Sequence, residues 1–312
     1  MLRPLAIGEI LDVGLKVYRN AFPAMIRAAS VISIPGAVLE TLIVNSGSTN
    51  GQSQNPIFAA TGNFSIFQIF HGGWTLAADF LLYFLVQLML NSFTVATCIA
   101  CVADTYLDRK TSARKSLTFA LRRFPSLVWL ELMTQFFSLA PVVGLIGLAV
   151  ALGQQGASRV AFGFTILGVV AAFCLMVSFY VVWVLRVPAL LLEGKHNLKA
   201  LGRSFSLVKR DAGKAINVIL TAYIMATFLS LPLILLIAGL FNSLVGSDLS
   251  WVVTGVVALG TSLALTPMQA SIYTVFYFDQ RVRMEGYDIE LLAQVTFDKT
   301  NQNSGSKKLV GN

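Results

Sequence analysis

Along the chain, long stretches free of Asp, Glu, Lys and Arg alternate with short segments in which cations crowd together. The uncharged stretches run over 80–103, 132–158, 160–185, 215–247 and 249–278. Each is long enough to cross a hydrocarbon core of about 30 Å, which takes about 20 helical residues. A sixth stretch, 23–44, carries Arg27 and Glu40 near its ends, where long side chains can reach out of the membrane. None of these runs alternates apolar and polar with period two, so they read as helices and not as barrel strands. The expected fold is all-α: a polytopic helical membrane protein with six transmembrane helices over about 23–44, 75–103, 126–152, 160–187, 215–244 and 251–278. These make a single membrane domain over 1–298, and 299–312, rich in Asn, Ser, Gly and Lys, reads as a disordered cytoplasmic tail.

The basic segments between spans have helical patterning of their own. Ile7, Ile10, Gly14, Val17 and Ala21 mark one face, while Glu9, Asp12, Lys16 and Arg19 mark the other. Thr111 or Ser112 can cap a helix with the apolar face Ala113, Leu117, Ala120, Leu121 and Phe124, opposite Arg114, Lys115, Thr118 and Arg122. Asn197 can cap a third, with Leu198, Leu201, Phe205 and Val208 on one side and Lys199, Arg203, Ser206, Lys209 and Arg210 on the other. Each leads into a span with an internal proline, Pro35, Pro141 or Pro232. The chain thus reads as three units of amphipathic helix plus transmembrane hairpin. Such helices are expected in the membrane interface, apolar face in the acyl boundary and cations toward anionic head groups.

Composition narrows the picture further. Only 12% of the 312 residues are charged and 56% are hydrophobic, where a soluble domain carries about 25% charge. Too few charges remain to cover a water-facing surface, and three cysteines do not make a disulfide scaffold. With six spans, every Lys and Arg except Arg159 falls on one side, and 45–73 carries no cation. The bias of cations toward the cytoplasm then places both termini inside. Charges at Glu9, Asp12, Lys16 and Arg19 interrupt any apolar core of a signal peptide, so insertion is expected to depend on the spans. The net charge of +8 sits beside spans, which points to anionic inner-leaflet lipids and away from nucleic acid.

Ionisable residues inside spans flag function, because a charge in hydrocarbon is costly. Arg27, Glu40, Asp79 and Glu131 qualify. They allow two readings, a path for protons or ions and charges that tie helices together; for Arg27 and Glu131 a mutual pair across the first and third spans is expected. Gln87, Asn91, Thr94 and Thr97 form a polar stripe suited to hydrogen bonds between helices, with Gln135, Ser138, Asn217, Thr221 and Gln269 to meet it. Cys98, Cys101 and Cys174 read as small packing residues, and two histidines, His71 and His196, do not make a metal site. No phosphate-binding loop, nucleophile elbow or two-His metalloprotease motif is present, so no enzyme and no cofactor is expected.

Three stretches carry a resemblance. Arg3-Pro4-Leu5 with Gly8-Glu9-Ile10-Leu11-Asp12 and Leu15-Lys16-Val17-Tyr18-Arg19 form the first, and Arg186-Val187-Pro188-Ala189-Leu190-Leu191-Leu192-Glu193-Gly194 with Ala200-Leu201 and Arg203-Ser204 form the second. The third combines Thr266-Pro267, Tyr277-Phe278-Asp279, Arg281-Val282-Arg283 and Glu285 to Leu292. In this order they resemble a bacterial membrane family labelled glycerophosphoryl diester phosphodiesterase membrane domain. In members that hydrolyse glycerophosphodiesters, the chemistry is expected from a separate soluble domain, and the sequence to Asn312 contains none. The resemblance therefore implies a stand-alone membrane module of the bacterial cytoplasmic membrane with no catalytic residue to carry over.

Within the matched stretches, Pro188 can end the fourth span, and Arg186, Glu193, Asp279, Arg281, Arg283 and Glu285 can form a charged junction at the inner face. Gly286 can bend the chain into an interfacial helix over 288–295. The resulting expectation is a non-enzymatic multi-pass scaffold or accessory module, touching lipids or a protein partner through its basic cytoplasmic helices. The alternative is a small-solute or ion transporter built around Asp79, Glu131 and the polar stripe. A membrane-embedded hydrolase comes last.

Overall fold

A computed structural model describes residues 5–46, 73–107, 112–154, 158–194, 198–245 and 250–286. Among these, nine helices and no strand occur. In chain order they are α1 (Ile7–Ser46), α2 (Gly73–Tyr106), α3 (Ala113–Arg122), α4 (Phe124–Gln154), α5 (Ser158–Val182), α6 (Arg186–Glu193), α7 (Leu198–Lys209), α8 (Ala212–Val245) and α9 (Ser250–Glu285). Five stretches are long and apolar enough to cross a membrane: Ile7–Val38, Phe84–Tyr106, Leu167–Glu193, Ala212–Pro232 and Gly255–Glu285. The sixth expected span, 126–152, lies within α4, an unbroken helix of 31 residues. Apolar side chains such as Phe228, Leu235, Leu167, Phe173 and Val143 stand largely exposed along these helices. In water that surface would be untenable, whereas in a bilayer it meets solvent of its own kind. The chain is a helical membrane protein.

The first expected amphipathic segment does not lie apart in the interface. It runs without a break into the first span, so that α1 extends for 40 residues, roughly 60 Å. The reason is one continuous buried stripe, Ile10, Gly14, Val17, Ala21, Met25, Ala28, Ile32 and Gly36, spaced three or four apart along both segments. Protein, and not acyl chain, covers the apolar face. A Cβ on Gly14 would lie 3.1 Å from Ile272 Cα, so only glycine lets α1 and α9 come this close. Tyr18 adds a hydroxyl bond to Ala264 O at 3.0 Å.

The other two amphipathic helices are separate elements, each followed by its span. α3 and α4 are parted by Arg123 alone, and α7 and α8 by Arg210 and Asp211. Their faces also differ from the sequence reading. α3 buries Ser116 and Ala120 and leaves Leu121 exposed, while α7 buries Ala200, Leu201, Ser204, Leu207 and Val208 and leaves Leu198 and Phe205 exposed. The helices continue through Pro35, Pro141, Pro232 and Pro267. Pro188, by contrast, does not end the fourth span. That helix ends at Val182, and Pro188 sits in the first turn of α6, where a missing N–H costs no helical bond.

The dense core lies at the end of the bundle where the basic helices are. Cys98, Ile99, Cys101 and Val102 of α2, Leu127 and Leu130 of α4, Leu190 and Leu191 of α6, and Phe276, Tyr277 and Phe278 of α9 are almost fully enclosed there. Tyr106 stacks on Phe278 with ring centres 5.1 Å apart. In α4 the described burial stops at Thr134, and in α8 at Ala226.

Candidate functional site

Besides the exposed Lys115–Asp104 pair at 3.5 Å, charge at the basic end is organised into three enclosed ion-paired groups, each joining helices distant in sequence. The first ties α4 to the α5–α6 turn. Arg186 Nη2 donates to both Glu131 oxygens at 2.8 Å, and its Nε adds a bond to Oε2 at 3.2 Å. Nη1 donates to Trp183 O at 3.1 Å. Both side chains are largely enclosed, so the pair is of the multidentate, charge-assisted kind. This corrects the expected pairing of Glu131 with Arg27. The Arg27 side chain is exposed, and its Nε reaches only the Pro23 carbonyl of its own helix at 2.6 Å. One helical turn of α1 separates donor and acceptor, so the guanidinium is spent locally.

The turn between α5 and α6 leaves backbone groups unpaired, and Ser204 of α7 fills them. Its hydroxyl donates to Val182 O at 2.7 Å and accepts from Leu185 N–H at 3.2 Å. At the far end of α6, Arg123 Nη1 donates to the carbonyls of Leu190 and Leu191 at 2.6 and 2.7 Å. A cation is favoured there because the last carbonyls of a helix lack partners and carry its negative end. Gly194 closes the helix with φ of 68°, a conformation that favours glycine.

The second group surrounds Glu193. Arg203 Nε donates to its two oxygens at 2.9 and 2.8 Å, Tyr277 Oη donates to Oε1 at 2.7 Å, and Arg281 Nε lies 3.9 Å away. Glu285 pairs with Arg203 and with Arg281, the latter at 3.2 Å. Burial opposes the Arg203 charge, but hydrogen bonds to Glu285 and Glu193 outweigh it and hold its pKa above the usual value.

The third group centres on Asp279, which is fully enclosed. Lys214 Nζ donates to Oδ2 at 2.5 Å, Arg283 Nε reaches the same oxygen at 3.2 Å, and the Leu5 amide donates to Oδ1 at 2.7 Å. Lys214 and Arg283 both donate as well to Leu5 O at 2.7 Å. The segment before α1 is thereby fastened to α8 and α9 through both its backbone groups. Between Asp279 and Arg281 sits Gln280, fully buried, with neither its amide nitrogen nor its oxygen hydrogen-bonded among the described residues.

All six residues of the expected junction therefore lie in these groups, but not as one ring. Arg186 goes to Glu131, Arg283 joins Lys214 on Asp279, and Glu193, Arg281 and Glu285 gather around Arg203. Lys214, Arg203, Tyr277, Ser204 and Arg123 are the partners that sequence reasoning missed. Of Glu40 and Asp79 only the backbone is described, in α1 and α2; their side chains, like the proposed helix at 288–295 and the tail, lie outside the described residues. Gly286 does turn, with φ of 63°.

The threonines of the polar stripe bond within their own helix and not between helices. Thr94 and Thr97 donate to Leu90 O and Phe93 O, and Thr221 and Asn217 to Asn217 O and Gly213 O, each within its own helix. A hydroxyl one turn ahead of a carbonyl meets it without help from a neighbour. Among the described residues, no three His, Cys, Asp or Glu side chains converge as metal ligands do. No protein-family model, curated protein or solved structure matches the chain.

Proposed function

We propose that the protein is a non-enzymatic scaffold or accessory module of the bacterial cytoplasmic membrane, holding its basic end against the anionic inner leaflet with both termini cytoplasmic. The observation that carries this reading is the exposed surface of α7. Leu198 and Phe205 stand out of the protein there beside Lys199 and Lys209, the latter lying 5.7 Å from the Phe205 ring centre. Leu121 and Trp129, exposed in the same stretch of α3 and α4 that carries Arg114 and Arg122, follow the same pattern. Greasy side chains flanked by uncommitted cations suit the boundary between head groups and acyl chains. The resemblance of 3–19, 186–204 and 266–292 to the membrane-domain family supports the same reading.

The transport alternative has less support, because the hydroxyls of the stripe spend their hydrogens on their own helices, and Glu131 spends its charge on Arg186. The test is extraction of the full chain in lipid-preserving particles, with crosslinking before extraction. Enrichment of anionic phospholipid or of a cytoplasmic protein is the expected result. Recovery of neither, or solute flux in proteoliposomes that Glu131→Gln abolishes, would overturn the proposal.

A further inference from the structure

Going around α7, three surfaces follow one another. Ala200, Leu201, Ser204, Leu207 and Val208 face the protein core; Leu198 and Phe205 form an exposed apolar strip; and beside that strip lies a shallow depression of about 410 Å³ lined by Lys199, Gly202, Arg203 and Ser206. These four stand at i, i+3, i+4 and i+7, one face of the helix. We infer that this depression is a binding site for the phosphate of an anionic phospholipid head group, with the apolar strip beside it against the acyl chains. The inference rests on the proposed membrane-surface role and names the place where the lipid is held.

Four features make the depression a site for an anion and not only a basic patch. Arg203 is fixed before any ligand arrives, because Glu193 takes its Nε and Glu285 takes Nη2. The contacts of Arg203 fall on Nε and Nη2, and its Nη1 carries two further N–H donors, the fork geometry that suits phosphate. Lys199, one turn earlier and exposed, has no acidic partner among the described residues and supplies the net positive charge that Arg203 has lost to its carboxylates. Gly202 leaves the floor open: a Cβ there would meet no protein atom within 4 Å, so glycine is not required by packing against the rest of the chain. A lipid phosphate is favoured over a soluble one by the position of Leu198 and Phe205, which would put the depression at head-group depth.

The same facts supply a clean test. Gly202→Leu places a side chain in the depression at a position where a Cβ meets no protein atom within 4 Å, and it replaces glycine by a better helix former. Lys199→Gln removes the unpaired charge while keeping most of the side chain. The full-length protein and both variants, with Ser178→Ala as an uncharged control away from the basic helices, are reconstituted in vesicles of equal phosphatidylglycerol and phosphatidylcholine, re-extracted, and the retained lipids weighed by native mass spectrometry. The wild type and the control should retain phosphatidylglycerol preferentially. Lys199→Gln should lose about fivefold of that preference, the value expected for one cation near a charged surface, and Gly202→Leu should lower it by filling the depression. Preference in the wild type that both variants keep would overturn the site while leaving the general lipid reading in place; no preference in the wild type would remove both. Displacement of the lipid by millimolar glycerol 3-phosphate or inorganic phosphate would assign the pocket to a soluble phosphate and overturn the lipid assignment. Unfolding of Gly202→Leu is detected by its helicity, and Lys199→Gln then decides alone.

Discussion

Replacing Asp279 by Ala removes the acceptor at the centre of the third ion group. The carboxylate is fully enclosed and takes hydrogen bonds from Lys214, Arg283 and the Leu5 amide. After the change, Lys214, whose side chain is only 8% exposed, keeps its charge but retains only the Leu5 carbonyl as partner. Leaving a buried charge without its counter-ion costs about 3–5 kcal/mol, and the orphaned Leu5 amide falls within that figure. Lys214→Met costs less, about 1–3 kcal/mol, since Asp279 still holds Arg283 and Leu5. The double variant should then be more stable than the sum of the two losses implies, by about 1–3 kcal/mol, because its second change removes the stranded charge. Equilibrium unfolding in mixed micelles, followed by helicity, measures all three, and protease cleavage near Leu5 should rise in Asp279→Ala. A loss below about 1 kcal/mol for Asp279→Ala, or strict additivity in the double variant, would refute the reasoning.

Three further expectations use the same assay. Glu131→Gln should cost about 2–3 kcal/mol through the stranded Arg186, whereas Arg27→Gln, at an exposed side chain bonded to its own helix, should change stability by less than about 0.5 kcal/mol. Gly14→Val should cost about 1–3 kcal/mol, because its Cβ meets the Ile272 backbone. Gly36→Ala should cost less despite a nearer neighbour at 2.5 Å, since that neighbour is the rotatable end of Leu90; equal losses would show that α1 and α9 do not pack as described. Gln280→Leu should raise stability by about 1–2 kcal/mol if both polar atoms are unsatisfied, and a loss would reveal a water or ligand holding the amide.

Much of the fold was written in one-dimensional pattern. Uncharged runs of about 20 residues locate the helices that cross, because lipid admits few alternatives to a helix. The same pattern located the charges at helix ends but could not pair them. Glu131 reaches Arg186 across 55 positions and Asp279 reaches Lys214 across 65, and such distances leave no periodic trace. Tyr277 was legible as an aromatic in an apolar run, yet its hydroxyl partner Glu193 lies 84 positions away. Amphipathic faces misled for a different reason. Periodicity puts Leu121 with Ala120, and Leu198 and Phe205 with Leu201 and Val208, on one face toward the acyl chains, but each face is divided: Ala120, Leu201 and Val208 are buried with Ser116 and Ser204, and Leu121, Leu198 and Phe205 stand exposed, because where lipid is the solvent an apolar residue gains nothing decisive from turning inward. Gly14 and Gly36, the glycines of the buried stripe of α1, carried the local signal of close helix contact.

The central claim is that a bilayer surrounds these helices with the basic helices on its cytoplasmic side. With Cys98, Cys101 and Cys174 replaced by alanine, single cysteines placed by Lys199→Cys, Arg114→Cys and Ser53→Cys, probed in intact cells with a membrane-impermeant thiol reagent, test it most directly. The account predicts labelling at 53 in intact cells, and at 114 and 199 only after the membrane is opened. Labelling of position 199 in intact cells, or of all three positions alike, would contradict it.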